Sequence, residues 1–433
     1  MNTPHTQRLV IIDGVRTPFC KAGTDLAGLA ADELGRIAVN ALLTRTGIDP
    51  AIVEEVLFGC VSQPADAANV ARVIALRAGL PEHIPAVTVH RNCASGFEAL
   101  TAASERLVAG RGEVFIVGGV ESMSQIPLLF PRAASDKFAR LAKARSLGQK
   151  LAALASFRPS DFKPRIGLML GLTDPVCGMN MGETAELLAR DFGITREEQD
   201  AFALRSHLRA LAAKEKLAEE ICPVFPAPHL SRLTPVVSDN GPRADSTPQK
   251  LAQLRPLFDR RHGTVTAGNA SQVTDGAVAL LVMSERKAEA LGLKPLGVLT
   301  DYAWAGCEPA RMGLGPVFAI RKLLERSRLT LDDADLIEIN EAFAAQVLAV
   351  LRALESDKFS RKLLRRLAPL GHVPEDRLNV NGGAIALGHP VGATGARLIL
   401  TALKELRRRE ARRALVTLCV GGGQGGALWL EVL

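Results

Sequence analysis

The chain has 433 residues, 47% hydrophobic and only 4% aromatic, with 38 glycines and a formal net charge of +7. That length and apolar fraction allow two or three packed units with ample core, and the chain reads as a soluble α/β enzyme. So few aromatics leave no platform for base stacking and the charge is modest, so nucleic acid is a poor partner and a polyanionic small molecule a better one.

Residues 1–10 are polar with one arginine and lack an apolar leader core, and no apolar run approaches about eighteen residues. Neither a signal peptide nor a membrane span is expected, and the expected location is cytoplasmic. Residues 9–13 are expected as a first strand, 32–46 as a helix by their apolar spacing, 55–61 as a second strand and 68–79 as a helix. Next, Val87-Thr88-Val89-His90-Arg91-Asn92-Cys93-Ala94-Ser95-Gly96-Phe97 runs from an alternating β-branched strand into a small-residue helix start. Cys93 sits on the hinge. A helix N-terminus offers unpaired N–H groups and partial positive charge, so a thiol there is expected to ionise below its free value of about 8.5, as a nucleophile does. Taken alone, Cys93 reads rather as a buried structural cysteine, and the C-terminal motifs are what overturn that reading. The seven cysteines form no CxxC pair, which suggests neither a disulfide framework nor a zinc site and fits a reducing compartment. Residues 112–119 form the next strand, ending in Glu121-Ser122-Met123-Ser124. Strands alternating with helices predict a sheet covered by helices on its faces.

Residues 127–261 make a long excursion, containing Gly171-Leu172-Thr173-Asp174-Pro175, Met181-Gly182-Glu183-Thr184-Ala185-Glu186 and a helix through 197–215. Its 223–247 stretch is rich in Pro, Ser and Asn, as a lid or binding cover is. Residues 263–271 are small and polar, suited to close approach by a ligand. The first order of elements then recurs: strand 296–301, helix 317–324, and strand 335–339 ending in Asn340-Glu341-Ala342-Phe343. A turn carrying Gly388-His389-Pro390 leads into a helix, and strand 414–420 ends in Cys419-Val420-Gly421-Gly422-Gly423. This is an internal duplication of topology rather than of letters. It would bring the chemically useful loops of the two halves together. The Gly421-x-Gly423-x-x-Gly426 pattern mimics a dinucleotide fingerprint, but the few residues on to Leu433 hold neither the helix nor the acid that such a site needs.

Asn92-Cys93-Ala94-Ser95-Gly96, Asn340-Glu341-Ala342-Phe343, Gly388-His389-Pro390 and Cys419-Val420-Gly421-Gly422-Gly423, in that order, resemble the four site motifs of the thiolases over essentially the whole chain. The resemblance implies the five-layered αβαβα thiolase fold in two pseudo-symmetric halves with an inserted loop domain, and an oligomer, a homodimer or a dimer of dimers. The expected boundaries are 1–126 for the first part of the N-terminal half, 127–261 for the loop domain covering coenzyme A and the acyl chain, 262–292 for the rest of that half, and 293–433 for the C-terminal half. The implied reaction is the exchange of acyl groups between coenzyme A and a 3-ketoacyl chain. Coenzyme A is then a substrate, and no permanently bound cofactor or metal is expected.

The residue types allow Cys93 to attack the 3-keto carbon while His389 takes its proton, giving an acyl enzyme. Carbon–carbon cleavage releases an enolate, which by resemblance is held by His389 and a water fixed by Asn340. Cys419 would protonate the enolate carbon and then deprotonate the incoming thiol. The backbone N–H groups of Cys93 and Gly421 would hold the second oxyanion. By position in the family pattern, Ser271 contacts the pantetheine arm, Arg243 lies near the nucleotide, and Met181 and Leu172 border the acyl pocket, with Phe343 also expected at the coenzyme site. Asn180 stands where many thiolases have His just before that Met, which weakens the case for short acetoacetyl substrates. Residues 137–157, with Phe138, Leu141, Leu147, Leu151 and Leu154 near helical spacing among Lys137, Arg140, Lys143, Arg145 and Lys150, read as one basic amphipathic helix. The basic stretch 358–366 is a second addition. Both resemble the β-subunit type of the fatty-acid-oxidation multienzyme complex, whose partner subunit hydrates and dehydrogenates acyl-CoA, and an anionic membrane surface is the other candidate for the helix. A degradative 3-ketoacyl-CoA thiolase is the expected activity. A biosynthetic acetyl-CoA acetyltransferase is the alternative within the same chemistry, and a thiolase-like lipid carrier with a dead site the alternative outside it.

Overall fold

The computed structural model describes residues 8–226 and 234–433. The expectations for residues 1–7, and for 227–233 within the Pro-, Ser- and Asn-rich stretch, lie outside the described residues. The frame consists of strands β1 (Leu9–Arg16), β2 (Glu55–Gly59), β3 (Ala86–Val89), β4 (Val114–Ser122), β5 (Thr274–Ser284), β6 (Gly297–Gly306), β7 (Leu336–Ile339), β8 (Arg413–Val420) and β9 (Gln424–Glu431). Their order is β3-β2-β4-β5-β1 in the first half, continued by β6-β9-β8-β7 in the second. The halves join where Val10 pairs with Val298 and Ile11 with Gly297.

In the first half β1 and β4 run antiparallel to β5, while β2 runs parallel to both β4 and β3. The second half repeats these directions. β6 and β8 run antiparallel to β9, and β7 runs parallel to β8 and to a bridge at Leu378, which stands where β3 stands in the first half.

The helices that matter are α1 (Ala31–Thr46), α2 (Val70–Arg77), α3 (Ser95–Val108), α4 (Gly315–Ser327), α5 (Ala344–Glu355) and α6 (Thr394–Arg408). Period-2 alternation assigns their layers. Leu9 and Ile11 of β1 and Leu280 of β5 meet Phe97 of α3 and Ile399 of α6 in a central cluster, whereas Val10, Ile12 and Leu281 point the other way, onto Leu34, Leu42 and Ile74 of α1 and α2. Likewise Val416 and Leu418 of β8 face the central cluster, while Leu415 meets Ile320 of α4 and Val347 of α5. Three apolar layers separated by the two halves of this sheet make the five-layered αβαβα arrangement that the thiolase resemblance implies.

Neither β5 nor β9 is among the expected strands. All eleven residues of β5 are buried, so it is a continuous run of small and apolar residues that lacks the alternation of a half-exposed strand. β9 begins with Gln424, Gly425 and Gly426 and folds straight back on β8 after Gly422 (φ 87°) and Gly423 (φ 80°). The glycine pattern is therefore a hairpin turn with no helix after it, as the rejection of a dinucleotide site requires.

The single basic helix over 137–157 needs correction. The chain forms two helices, Arg132–Lys143 and Leu147–Ala155. Ser146 breaks them, because its hydroxyl accepts from Gln149 N at 3.2 Å while Gln149 Oε1 accepts from Ser146 N at 3.3 Å, a reciprocal cap that starts a new helix. Nor is the charge wholly unpaired: Lys137 donates to Asp161 at 2.6 Å. The expected 197–215 helix likewise ends at Ala212, followed by a short helix at Lys214–Ala218.

Candidate active site

The starts of α3 and α6 are pressed together in the central layer. An added Cβ on Gly96 would come within 2.5 Å of Ala396 N, and one on Gly395 within 2.5 Å of Phe97 N, so only glycine allows this approach. The turns before the two helices, one carrying Cys93 and the other His389, are thereby held side by side.

Cys93 lies between β3 and α3 in a tight turn where Asn92 adopts φ 44°. Ser95 Oγ accepts from Arg91 N at 2.9 Å and donates to Asn92 O at 2.7 Å, and Asn92 Nδ2 donates to Gly421 O at 2.7 Å. The turn is thus tied both to its own helix and to the β8–β9 hairpin. The expectation of an acidified thiol is not met: burial pushes Cys93 up to about 11, against the N–H groups of Gly421 and of Cys93 itself, which favour the thiolate. Desolvation outweighs the helix terminus here. Those two N–H groups are the pair expected to hold an oxyanion.

His389 is buried, and its Nδ1 lies 2.6 Å from Thr394 Oγ1. Thr394 Oγ1 donates its one proton to Pro390 O at 3.0 Å, so it accepts from Nδ1–H, and Nε2 keeps a free lone pair. Nε2 is buried with no hydrogen-bond partner among the described residues. Burial and the nearby Arg397 guanidinium push the imidazole down to about 3, so at neutral pH it is an uncharged base.

Cys419 is buried near the end of β8, and burial together with the neighbouring Cys93 pushes its thiol far up, keeping it protonated. Asn340 follows β7 directly. It does not cap a helix, since α5 starts at Ala344 with Phe343 before it. Both polar atoms of its buried side chain lack hydrogen-bond partners among the described residues. Buried amides are nearly always satisfied, so Asn340 fits a site for a polar guest.

A cavity of about 420 Å³ opens above Cys93, with Leu172, Met181 and Gly421 on its wall beside Ile126, Leu168 and Val391. His389, Cys419 and Asn340 do not line this cavity. Nor do Ser271, Arg243 and Phe343: Ser271 N donates to Ala342 O at 2.9 Å, Phe343 packs edge-on to Phe258 at 6.2 Å, and Arg243 N donates to His207 Nδ1 at 3.2 Å.

The family profile for the N-terminal domain of thiolase matches residues 9–286, and that for the C-terminal domain matches residues 293–432. The chain belongs to the thiolase family. It is 45% identical to a 3-ketoacyl-CoA thiolase of Pectobacterium atrosepticum, over 99% of this chain and 98% of that one. Among solved structures it is similar to the Bacillus anthracis acetyl-CoA acetyltransferase (TM-score 0.85, 39% identity, 99% of each chain). It is also similar to human mitochondrial 3-ketoacyl-CoA thiolase in complex with CoA (TM-score 0.84, 34% identity, 99% of this chain and 98% of that one).

In this thiolase, Asn180 has a local task. Its Oδ1 accepts from Gly182 N at 3.0 Å and its N–H is taken by Glu183 at 2.6 Å, capping the helix Met181–Asp191 beside the cavity. Three positioned side chains escaped the sequence reading. Thr394 fixes the His389 tautomer, and its only signal was standing five residues on, at a helix start. Arg397, buried 3.5 Å from Glu338, adds its charge to the larger effect of burial in holding the imidazole neutral. Glu121 is an acid near the end of a strand whose nine residues are all buried, a signal visible in the sequence as a lone carboxylate after an apolar run.

Proposed function

We propose that this thiolase is a degradative 3-ketoacyl-CoA thiolase, cleaving 3-ketoacyl-CoA with coenzyme A to acetyl-CoA and a shortened acyl-CoA. The observation that supports the reading is that Gly96 and Gly395 hold the Cys93 and His389 turns side by side, with the Cys419 thiol near enough to Cys93 to feel its charge. His389 Nε2 takes the Cys93 proton as sulfur bonds to the 3-keto carbon, and the oxyanion formed there is held by the N–H groups of Cys93 and Gly421. The C2–C3 bond then breaks. Its electron pair leaves as the enolate of acetyl-CoA, whose oxygen rests between the imidazolium and the Asn340 site, and Cys419 donates a proton to its carbon. The Cys419 thiolate next takes the proton of the incoming coenzyme A thiol. That sulfur attacks the acyl carbon, and Cys93 leaves, recovering its proton from His389. A single oxyanion donor of this kind is worth about 3 kcal/mol.

Ser271, Phe343 and Arg243, on the segments beside Ala342 and His207, suit the pantetheine arm and nucleotide of coenzyme A. The exposed outer edge of β3, all of whose residues are half-buried, supports pairing of two copies.

Chain length separates this reading from a biosynthetic acetyl-CoA acetyltransferase. The cavity wall is mostly apolar and includes Leu168 and Leu170, and its volume of about 420 Å³ is more than a two-carbon acyl group fills. Gly171 lines it, and an added Cβ there meets nothing within 4 Å. Thiolysis assayed across chain lengths should favour medium or longer chains. Gly171→Leu should cut kcat/KM for long chains by about tenfold or more while sparing acetoacetyl-CoA. Activity confined to acetoacetyl-CoA in the unaltered enzyme would make the biosynthetic reading the better one.

The two basic helices present a surface for docking. Phe138 stands 4.9 Å from Phe157 and 5.3 Å from Phe130, and Leu147, Leu151 and Leu154 are exposed beside Arg140, Lys143 and Lys150. An apolar patch rimmed by positive charge suits an acidic partner subunit of fatty-acid oxidation or an anionic membrane. Replacing Arg140, Lys143 and Arg145 with Gln should leave thiolysis of a short substrate unchanged. Binding to anionic vesicles, or co-purification with the partner, should weaken by about 1 kcal/mol per charge removed. Unchanged binding to both would leave the helices as a solvated cover.

A further inference from the structure

Glu121, near the end of β4, is wholly buried, and no step above uses it. Its oxygens take three backbone N–H groups: Oε1 accepts from Ser62 at 2.7 Å, and Oε2 accepts from Val61 and from Gly392, both at 3.0 Å. Cys60 Sγ lies 3.8 Å from Oε1. Two of the donors belong to the loop after β2 in the first half. The third belongs to the second half, in the turn between His389 and its partner Thr394. Gly392 fits so closely that an added Cβ would stand 2.9 Å from Glu121 Oε2 and 2.5 Å from Val120 O. Val61, Ser62 and Val391 all line the cavity that holds Cys93.

We infer that Glu121 is a positioning residue, whose carboxylate ties the His389 turn of one half to the Val61–Ser62 loop of the other and so sets where the imidazole stands relative to Cys93. The inference rests on the reading of Cys93 and His389 as nucleophile and base. Charge-assisted bonds to three N–H groups are strong in a dry interior, and few other acceptors could satisfy donors from two separate segments at once. Burial pushes the carboxyl up to about 7 while the three N–H groups hold it down, so its affinity for a proton is finely balanced. Its charge is also felt at Cys93, whose thiol it pushes up.

The test compares Glu121→Gln with the unaltered enzyme. The amide keeps one acceptor oxygen and turns an NH₂ toward donors that need an acceptor, so the tie loosens while the volume stays. We expect kcat for thiolysis of a short 3-ketoacyl-CoA to fall about tenfold or more with KM within about twofold, as displacement of a base by a fraction of an ångström does. Alkylation of Cys93 by iodoacetamide at about pH 8 should be undiminished or faster, because a negative charge near the thiol is gone. A merely structural role would slow both together. Unchanged kcat overturns the inference, and so does equal loss of turnover and alkylation. Should the Gln variant not fold, Glu121→Asp decides: it keeps the charge with one methylene less reach, and an unchanged kcat overturns the inference there too. If the unaltered enzyme itself gives no thiolysis, the reading of the reaction fails instead, and slowed alkylation in the variant still counts against the tie.

Discussion

Cys93→Ala is expected to lower thiolysis by at least about 10⁴-fold while leaving the fold intact, because removing the nucleophile leaves only binding and the two oxyanion sites at work. The fold should survive, since the turn is held by Ser95, Arg91 and Asn92 rather than by the thiol. Turnover, circular dichroism and mass spectrometry of the acyl adduct check this together. Turnover accompanied by acylation of another cysteine would remove Cys93 from its place. The same thiol makes a pH statement. Cys93 rests near 11 and His389 near 3, so the pair is neutral in the free enzyme across the physiological range. The thiolate is the reactive form, and its fraction grows as pH rises toward the thiol's own value. Alkylation of Cys93 should therefore climb about tenfold per pH unit between roughly 6 and 9. A plateau on the acid side would instead mean a preformed thiolate–imidazolium pair. The proton must then leave Cys93 only as substrate arrives, which is why the free lone pair of His389 Nε2 matters.

Cys419→Ala is expected to spare part of the acylation of Cys93 by an acyl-CoA and to stall carbon–carbon cleavage and formation by about 10²–10⁴-fold, the usual worth of a positioned acid or base. Cys419 is suited to the acid role because burial and the adjacent Cys93 keep it protonated at rest, and a neutral thiol is what an enolate carbon needs as donor. Mass spectrometry should find the acyl group on Cys93 without turnover of 3-ketoacyl-CoA. Full activity in this variant would exclude Cys419 from the proton transfers. Loss of Cys93 acylation as well would mean that the two thiols cannot be separated.

The sequence by itself determined a good deal about this protein. Four motifs resembling thiolase sites implied the role of His389 and the five layers, while the strand-to-helix hinge marked Cys93 and the repeated order of elements foretold two halves. Local chemistry suffices for this, since apolar period and turn residues act over a few positions. It did not determine β5, whose residues are buried on both faces and so show no alternation. It missed the Ser146 cap that divides the basic helix, because apolar spacing carried across the break. It also gave the wrong sign for Cys93: a helix start predicts acidification, while desolvation in a cavity walled by Leu172, Met181 and the β8–β9 hairpin prevails. Only the tertiary structure decided that Thr394 fixes the imidazole tautomer, that burial and Arg397 keep it neutral, and that Glu121 joins Ser62 to Gly392 across 330 positions of chain. Desolvation and tautomer are set by what surrounds a group in space. Here those surroundings come from segments hundreds of residues apart, which no local pattern records.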